Sequence, residues 1–253
     1  MMTRPRPGSR TKIALVLCTA SFGCTAPDAA PTTPAPAAVA RVVLVGDSLA
    51  QEASADLAFL LGDVPLVPKY YGGTAPCDWL DDDLEADDAS VVVISFTGNS
   101  QTPCMSDGPS SYVRGAGLVD RYRQDVATLV ERSQEAGAVV VLVGQPSRGN
   151  DPAGASEVDG LNSAYRSLAI TLGADFVDAG ASVELDDGAF TLRLPCTPME
   201  PACDPDGTNA VRSDDGVHFC PGRNDLPCPR YSSGALRFAL AISDAVTRLV
   251  PTL

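Results

Sequence analysis

Residue 218 is the only histidine in the chain, and it stands in Asp215-Gly216-Val217-His218. Far upstream, a β-branched run ends in Gly46-Asp47-Ser48-Leu49. Together these residue types can do acyl chemistry. A serine hydroxyl is too weak an acid to attack a carbonyl at neutral pH unless a base takes its proton. Imidazole is such a base near neutrality. A carboxylate behind the imidazole fixes its tautomer and stabilises the cation that forms. Ser48, His218 and Asp215 are therefore the candidate nucleophile, base and orienting acid. The competing view is a core or surface histidine with an aspartate nearby by chance.

Such a set works only if the fold brings both ends of the chain to one place. Arg41–Gly46 (RVVLVG) is a short apolar run and predicts a buried strand. Further strands are expected over Val64–Tyr71, Ser90–Phe96 (SVVVISF), Ala138–Gly144 (AVVVLVG) and Ala174–Asp178. Between them, helical spacing appears over Ala50–Leu61, Leu118–Ala136 and Val158–Leu172, with a closing helix at Ser232–Leu249. In the second of these, Val119, Tyr122, Val126, Leu129 and Val130 share one face. Strands that are apolar throughout, separated by amphipathic helices, imply a parallel sheet covered on both faces. The expected class is α/β, a three-layer α/β/α sandwich with a central five-stranded parallel sheet. Ligands bind at the carboxyl ends of such strands. Ser48 follows the first strand, Gly72-Gly73 the second and Asn99 the third, so all fall on one rim. The stretch Gly180–Tyr231 breaks the rhythm. It is long, rich in Asp, Pro and Cys, and expected to be an irregular functional segment carrying His218.

Composition bounds the setting. Apolar residues make up 45% and charged residues 20%, as in a globular chain. Arg4, Arg6, Arg10 and Lys12 precede an apolar stretch from Ile13 that is too short to span a bilayer. Residues 1–24 therefore read as an export signal. Ser21-Phe22-Gly23-Cys24 resembles a bacterial lipobox, which would make Cys24 the lipidated N-terminus. The alternative is ordinary cleavage, for example after Ala38-Val39-Ala40. Residues 25–40, rich in Ala, Pro and Thr, read as an extended tether, and residues 41–253 as one domain. The expected location is extracytoplasmic, with membrane attachment only through that lipid. Without the four basic residues of 1–24, the balance is 14 basic against 32 acidic, a net −18. That charge disfavours nucleic-acid partners.

Six cysteines lie in the domain: Cys77, Cys104, Cys196, Cys203, Cys220 and Cys228. An even number in an exported chain reads as three disulfides, for which fifteen pairings exist. The pairing expected here is Cys77–Cys104, Cys196–Cys203 and Cys220–Cys228. No C-x-x-C pair is present, which argues against a zinc site, and no metal or other cofactor is expected. The acidic run Asp81-Asp82-Asp83, with Glu85, Asp87 and Asp88, lacks the spacing and glycine of a calcium loop and reads as a solvated face.

Gly46-Asp47-Ser48-Leu49 after the first strand, with Asp215-Gly216-Val217-His218 before the last helix, resembles the SGNH (GDSL-type) hydrolase superfamily. Leu161-Asn162-Ser163-Ala164-Tyr165 also resembles a helix start seen in many members. The resemblance spans residues 41–250 and implies a flavodoxin-like α/β/α fold. It also implies Ser48 as nucleophile, His218 as base and then acid, and Asp215 as the orienting carboxylate, with Asp214 as its neighbour in reach. The oxyanion donors it implies are the Ser48 N–H, the Gly73 N–H (or that of Gly72) and the Asn99 side chain. The third block departs from the usual Gly-x-Asn-Asp, reading Thr97-Gly98-Asn99-Ser100. In this it is similar to SGNH domains fused to bacterial membrane acyltransferases. Tyr70, Tyr71 and Trp79 could line the pocket against a sugar face, or Trp79 could pack on the disulfide at Cys77.

The resulting expectation is a serine esterase acting on short acyl esters, acetyl foremost, of a small-molecule or glycan substrate. An O-acyltransferase using the same triad and a non-catalytic envelope-binding lipoprotein are the alternatives. The sequence carries no signal for an oligomeric state.

Overall fold

The computed structural model describes residues 40–88, 90–108, 111–149, 151–220, 228 and 231–249. The expected export signal, Cys24 and all but the last residue of the expected tether lie outside the described residues. The elements are β1 (Arg41–Gly46), α1 (Ser48–Leu61), β2 (Leu66–Tyr70), β3 (Ser90–Ser95), β4 (Ser106–Gly108), β5 (Ser111–Tyr112), α2 (Gly115–Glu135), β6 (Val139–Val143), α3 (Pro152–Leu172), β7 (Asp175–Val177), β8 (Arg193–Pro195), β9 (Thr208–Ala210) and α4 (Ser233–Leu249).

Five strands form one parallel sheet in the order β2-β1-β3-β6-β7. This is the expected α/β/α arrangement. The apolar runs explain it, because successive residues of a strand face opposite layers. In β1, Val42 and Leu44 pack with α1 and α4, while Val43 and Val45 pack with α2 and α3. Both faces are therefore dry, and no polar alternation is tolerated in the central strands.

Three of the helices, α1, α2 and α3, begin earlier than their apolar spacing predicts. Asp47 accepts the Leu49 N–H at 3.2 Å and starts α1 at Ser48 rather than Ala50. Asp151 accepts the Ala153 N–H at 3.0 Å and starts α3 six residues before Val158. For α2 the acceptor comes from another helix: Glu157 Oε1 takes the Gly115 N–H at 2.6 Å. Gly46 is required by close approach, since a Cβ there would lie 2.4 Å from the Ser95 carbonyl oxygen.

The segment Gly180–Tyr231, expected to be irregular throughout, contains the antiparallel pair β8–β9. Arg193 holds that pair by donating to Asp204, to Thr208 Oγ1 and to the Thr208 carbonyl. β8 (RLP) and β9 (TNA) are short and carry no apolar run, so periodicity does not reveal them. The disulfides are Cys77–Cys104, Cys196–Cys203 and Cys220–Cys228, the pairing expected. In the acidic run, Asp82 and Glu85 pair with Lys69 and Asp87 pairs with Arg41, so part of that face is neutralised.

Glu200, inside the Cys196–Cys203 loop, anchors this segment to α4. Its carboxylate accepts from the Thr197 N–H at 2.5 Å, from Arg237 at 3.0 and 3.1 Å, and from Ser233 Oγ. The two charged side chains are 1% and 10% exposed. Burial alone would raise the Glu200 pKa, but the hydrogen bonds from Arg237, Ser233 and Thr197 outweigh it and pull it from 4.5 down to about 2. Glu200→Ala would strand a buried guanidinium and is expected to cost about 3–5 kcal/mol in urea denaturation. A depressed carboxylate stabilises the fold above its unfolded pKa and loses that contribution as pH falls through the folded value. The stability gap between wild type and Glu200→Gln is therefore expected to be largest above pH 4.5 and to narrow toward pH 2. A gap independent of pH would refute the assignment.

Candidate active site

Ser48 is the first residue of α1, directly above the end of β1. His218 Nε2 lies 3.0 Å from Ser48 Oγ, although the two residues are separated by 170 positions in sequence. His218 Nδ1 lies 2.7 Å from Asp215 Oδ2. With the proton on Nδ1 donated to Asp215, Nε2 is left to accept from the serine hydroxyl. Ser48 is 7% exposed, and the His218 side chain 28%. The serine is thus sheltered while one side of the imidazole remains open to a substrate.

A tight turn makes this possible. Gly216 adopts φ +70°, which brings residue 215 under residue 218. The other oxygen of Asp215 accepts from Ser213 Oγ at 2.6 Å, Val217 N–H at 2.8 Å and His218 N–H at 3.0 Å. Partial burial pushes the Asp215 pKa up, but the bonds from Ser213, from the His218 backbone and ring and from Val217 hold it well below the usual carboxylate range. Asp214, the neighbouring candidate, is exposed.

The expected oxyanion donors are close together but not equally available. The Gly72 N–H is taken by Gln51 Oε1 at 3.0 Å. The N–H groups of Gly73, at φ +85°, and of Ser48 have no hydrogen-bond partner among the described residues. Asn99 Nδ2 gives its two hydrogens to Asp47 Oδ2 at 3.0 Å and to the Thr74 carbonyl at 3.1 Å. The cause is Asp47, a wholly buried carboxylate that must be satisfied from within. Its oxygens also accept from Leu49 N–H, Thr97 N–H and Thr97 Oγ1. Burial raises the Asp47 pKa, and the Thr97 and Leu49 bonds and the Arg148 charge offset part of that rise.

Other hydrogen bonds fix the rim. Tyr122 and Tyr165 donate to the Asn99 and Phe96 carbonyls at 2.6 and 3.0 Å, and Arg148 donates to the Thr97 carbonyl at 2.6 Å. Asn162 exchanges hydrogen bonds with the Gln145 backbone at 2.7 and 2.8 Å, tying α3 to the end of β6. Trp79 is partly buried in the α2–α3 core, beside the Cys77–Cys104 disulfide, and donates to Thr74 Oγ1 at 3.2 Å. Packing is therefore its main contribution. Tyr71 is 69% exposed, and Tyr70 packs against the α1–α4 core.

Sequence reasoning overlooked Glu52. It is buried on α1, one turn beyond Ser48, and accepts the N–H groups of Phe219 and Cys220 at 2.6 and 3.2 Å. A carboxylate among Leu49, Ala50, Ala53 and Leu57 on the buried helix face was the available signal.

Solved structures described as SGNH and GDSL-type hydrolases share this fold. A carbohydrate acetylesterase from Sinorhizobium meliloti is 17% identical with a TM-score of 0.52, covering 83% of this chain and 99% of its own. A Geobacillus acetyl-xylooligosaccharide esterase, in mutant form, is 16% identical with a TM-score of 0.52, covering 85% and 95%. A GDSL-like lipase from Bacteroides thetaiotaomicron is 15% identical with a TM-score of 0.52, covering 83% and 88%. No curated protein matches the chain by sequence. The family model described as "Protein of unknown function (DUF459)" matches residues 41–226.

Proposed function

Since the chain belongs to the DUF459 family and has the SGNH hydrolase fold, we propose that it is a serine esterase removing short acyl groups, acetyl foremost, from a carbohydrate. The observation that carries this reading is the unbroken chain Ser48 Oγ, His218 Nε2, His218 Nδ1 and Asp215 Oδ2, at 3.0 and 2.7 Å. The acetyl and carbohydrate preference takes support from two of the similar structures, themselves described as carbohydrate acetylesterase and acetyl-xylooligosaccharide esterase.

In this reading Ser48 Oγ attacks the ester carbonyl carbon while His218 Nε2 takes its proton. The oxyanion settles against the Ser48 and Gly73 N–H groups, each worth about 100- to 1,000-fold in rate. Asn99 joins them by exchanging its bond to the Thr74 carbonyl. His218 then protonates the departing alcohol oxygen, the C–O bond breaks and acyl-Ser48 remains. Water loses a proton to His218, attacks the acyl carbon and releases the acid, regenerating Ser48. Export through residues 1–24, with lipidation of Cys24, belongs to the same proposal. Three disulfides among the described residues suit an oxidising compartment.

The test is acetate release from acetylated xylo-oligosaccharides, run beside p-nitrophenyl acetate, butyrate and octanoate. Acetate release and a rate that falls with acyl length are expected. A folded, oxidised chain that releases no acetate and whose Ser48 resists a fluorophosphonate would refute the reading. Acetyl appearing on an added sugar in preference to water would move the assignment to O-acyl transfer, which the acyltransferase-like third block Thr97-Gly98-Asn99-Ser100 favours.

A further inference from the structure

We infer that Glu52 is a positioning residue for the base: it spans from the nucleophile helix to the segment of His218 and holds the imidazole through both geometry and charge. The inference rests on the esterase reading. Ser48 and Glu52 share α1, four residues apart, so the helix sets their spacing. One Glu52 oxygen accepts from both backbone N–H groups that follow His218, at 2.6 and 3.2 Å. The Phe219 carbonyl is held from the other side by Ser232 Oγ at 2.8 Å, and the Phe219 ring packs on Phe238 with centroids 5.2 Å apart. A distance of 3.0 Å between Oγ and Nε2 is thereby fixed from both ends.

The charge needs its own explanation. A glutamine carbonyl could accept the same two bonds without burying an anion, which is costly. The charged groups that act on the imidazole are Asp215 on its own turn and Glu52 from α1; Arg212 stands beside them, its guanidinium 5.2 Å over the Phe219 ring. Arg212 interacts first with Glu184 and then with Glu52 and Asp215, and Glu52 in turn interacts with His218, so Glu52 adds to Asp215 in balancing the imidazolium that forms during attack. Burial raises the Glu52 pKa, while the Phe219 N–H, the nearby His218 and the Cys220 N–H pull it back.

The experiment follows fluorophosphonate labelling of Ser48 against pH in the oxidised full chain, with thermal denaturation alongside. E52Q is expected to melt at or above the wild-type temperature. It is expected to label about tenfold more slowly, with the acid limb moved about one unit to lower pH, because the cation has lost a neighbouring anion. E52A is expected to label more slowly still. E52Q that labels at the wild-type rate with an unmoved limb would leave Glu52 a structural cap and overturn the inference. Should E52Q not fold, E52D keeps the charge but retracts the carboxylate. It is predicted to keep the wild-type limb while losing rate, and an unchanged rate overturns the inference. Wild-type Ser48 that fails to label refutes the serine hydrolase reading, and Glu52's role falls with it.

Discussion

Ser48→Ala is expected to lower p-nitrophenyl acetate turnover about a million-fold while leaving the melting temperature nearly unchanged. The loss is large because Ser48 Oγ is the hydroxyl that faces His218 Nε2, at 3.0 Å. The small stability change follows from the geometry, since Ser48 Oγ makes one side-chain hydrogen bond, to His218. Removing the base should be no worse in combination. Ser48→Ala/His218→Ala is expected to match Ser48→Ala alone, because residues that act as one unit lose their function once. The residual rate above water would come from binding and the oxyanion donors. Substantial activity in a folded Ser48→Ala protein would place the chemistry elsewhere.

Asp215→Asn is expected to cost about ten thousand-fold in kcat. The surrounding donors dictate why. Oδ1 of Asp215 receives Ser213 Oγ, Val217 N–H and His218 N–H, so an asparagine must place its carbonyl oxygen there. Its NH2 group then faces His218 Nδ1, which must become the acceptor. The ring proton moves to Nε2, toward Ser48, and the serine faces a donor instead of a base. The backbone bonds survive this change, so the fold should too. The acid dependence of stability should shrink as well. The native carboxylate is held below its ordinary pKa, so it stabilises above that ordinary value and loses the contribution as pH falls. Kinetics beside acid denaturation of both proteins check the two halves together. A modest, severalfold loss of kcat would mean that Asp215 does not set the tautomer.

Much of this was legible in the chain. Val42–Val45, Val91–Ile94 and Val140–Val143 are runs that only a doubly covered parallel sheet buries, and each strand runs into a candidate residue or rim loop. The triad was legible because the Asp-x-x-His spacing closes through one glycine. What escaped depends on contacts between distant elements. The start of α2 is set by Glu157 from another helix, and the Gly72 N–H is occupied by Gln51. The engaged state of Asn99 follows from the burial of Asp47. Glu52 lies among the apolar residues of α1, but its partners, the Phe219 and Cys220 N–H groups, come from the far end of the chain. Short strands such as β8 and β9 leave no period to read.

On the proposed roles, the 170 positions between nucleophile and base give the chain a built-in latency. Synthesis runs from the N-terminus, so Ser48 is made long before its base exists. Every intermediate that lacks residues 213–218, or has not yet docked them beside α1, carries an inert serine. Closing so long a loop belongs to the slow, topologically expensive part of folding. Onset of Ser48 reactivity during refolding is therefore expected to report when residues 213–218 dock beside α1.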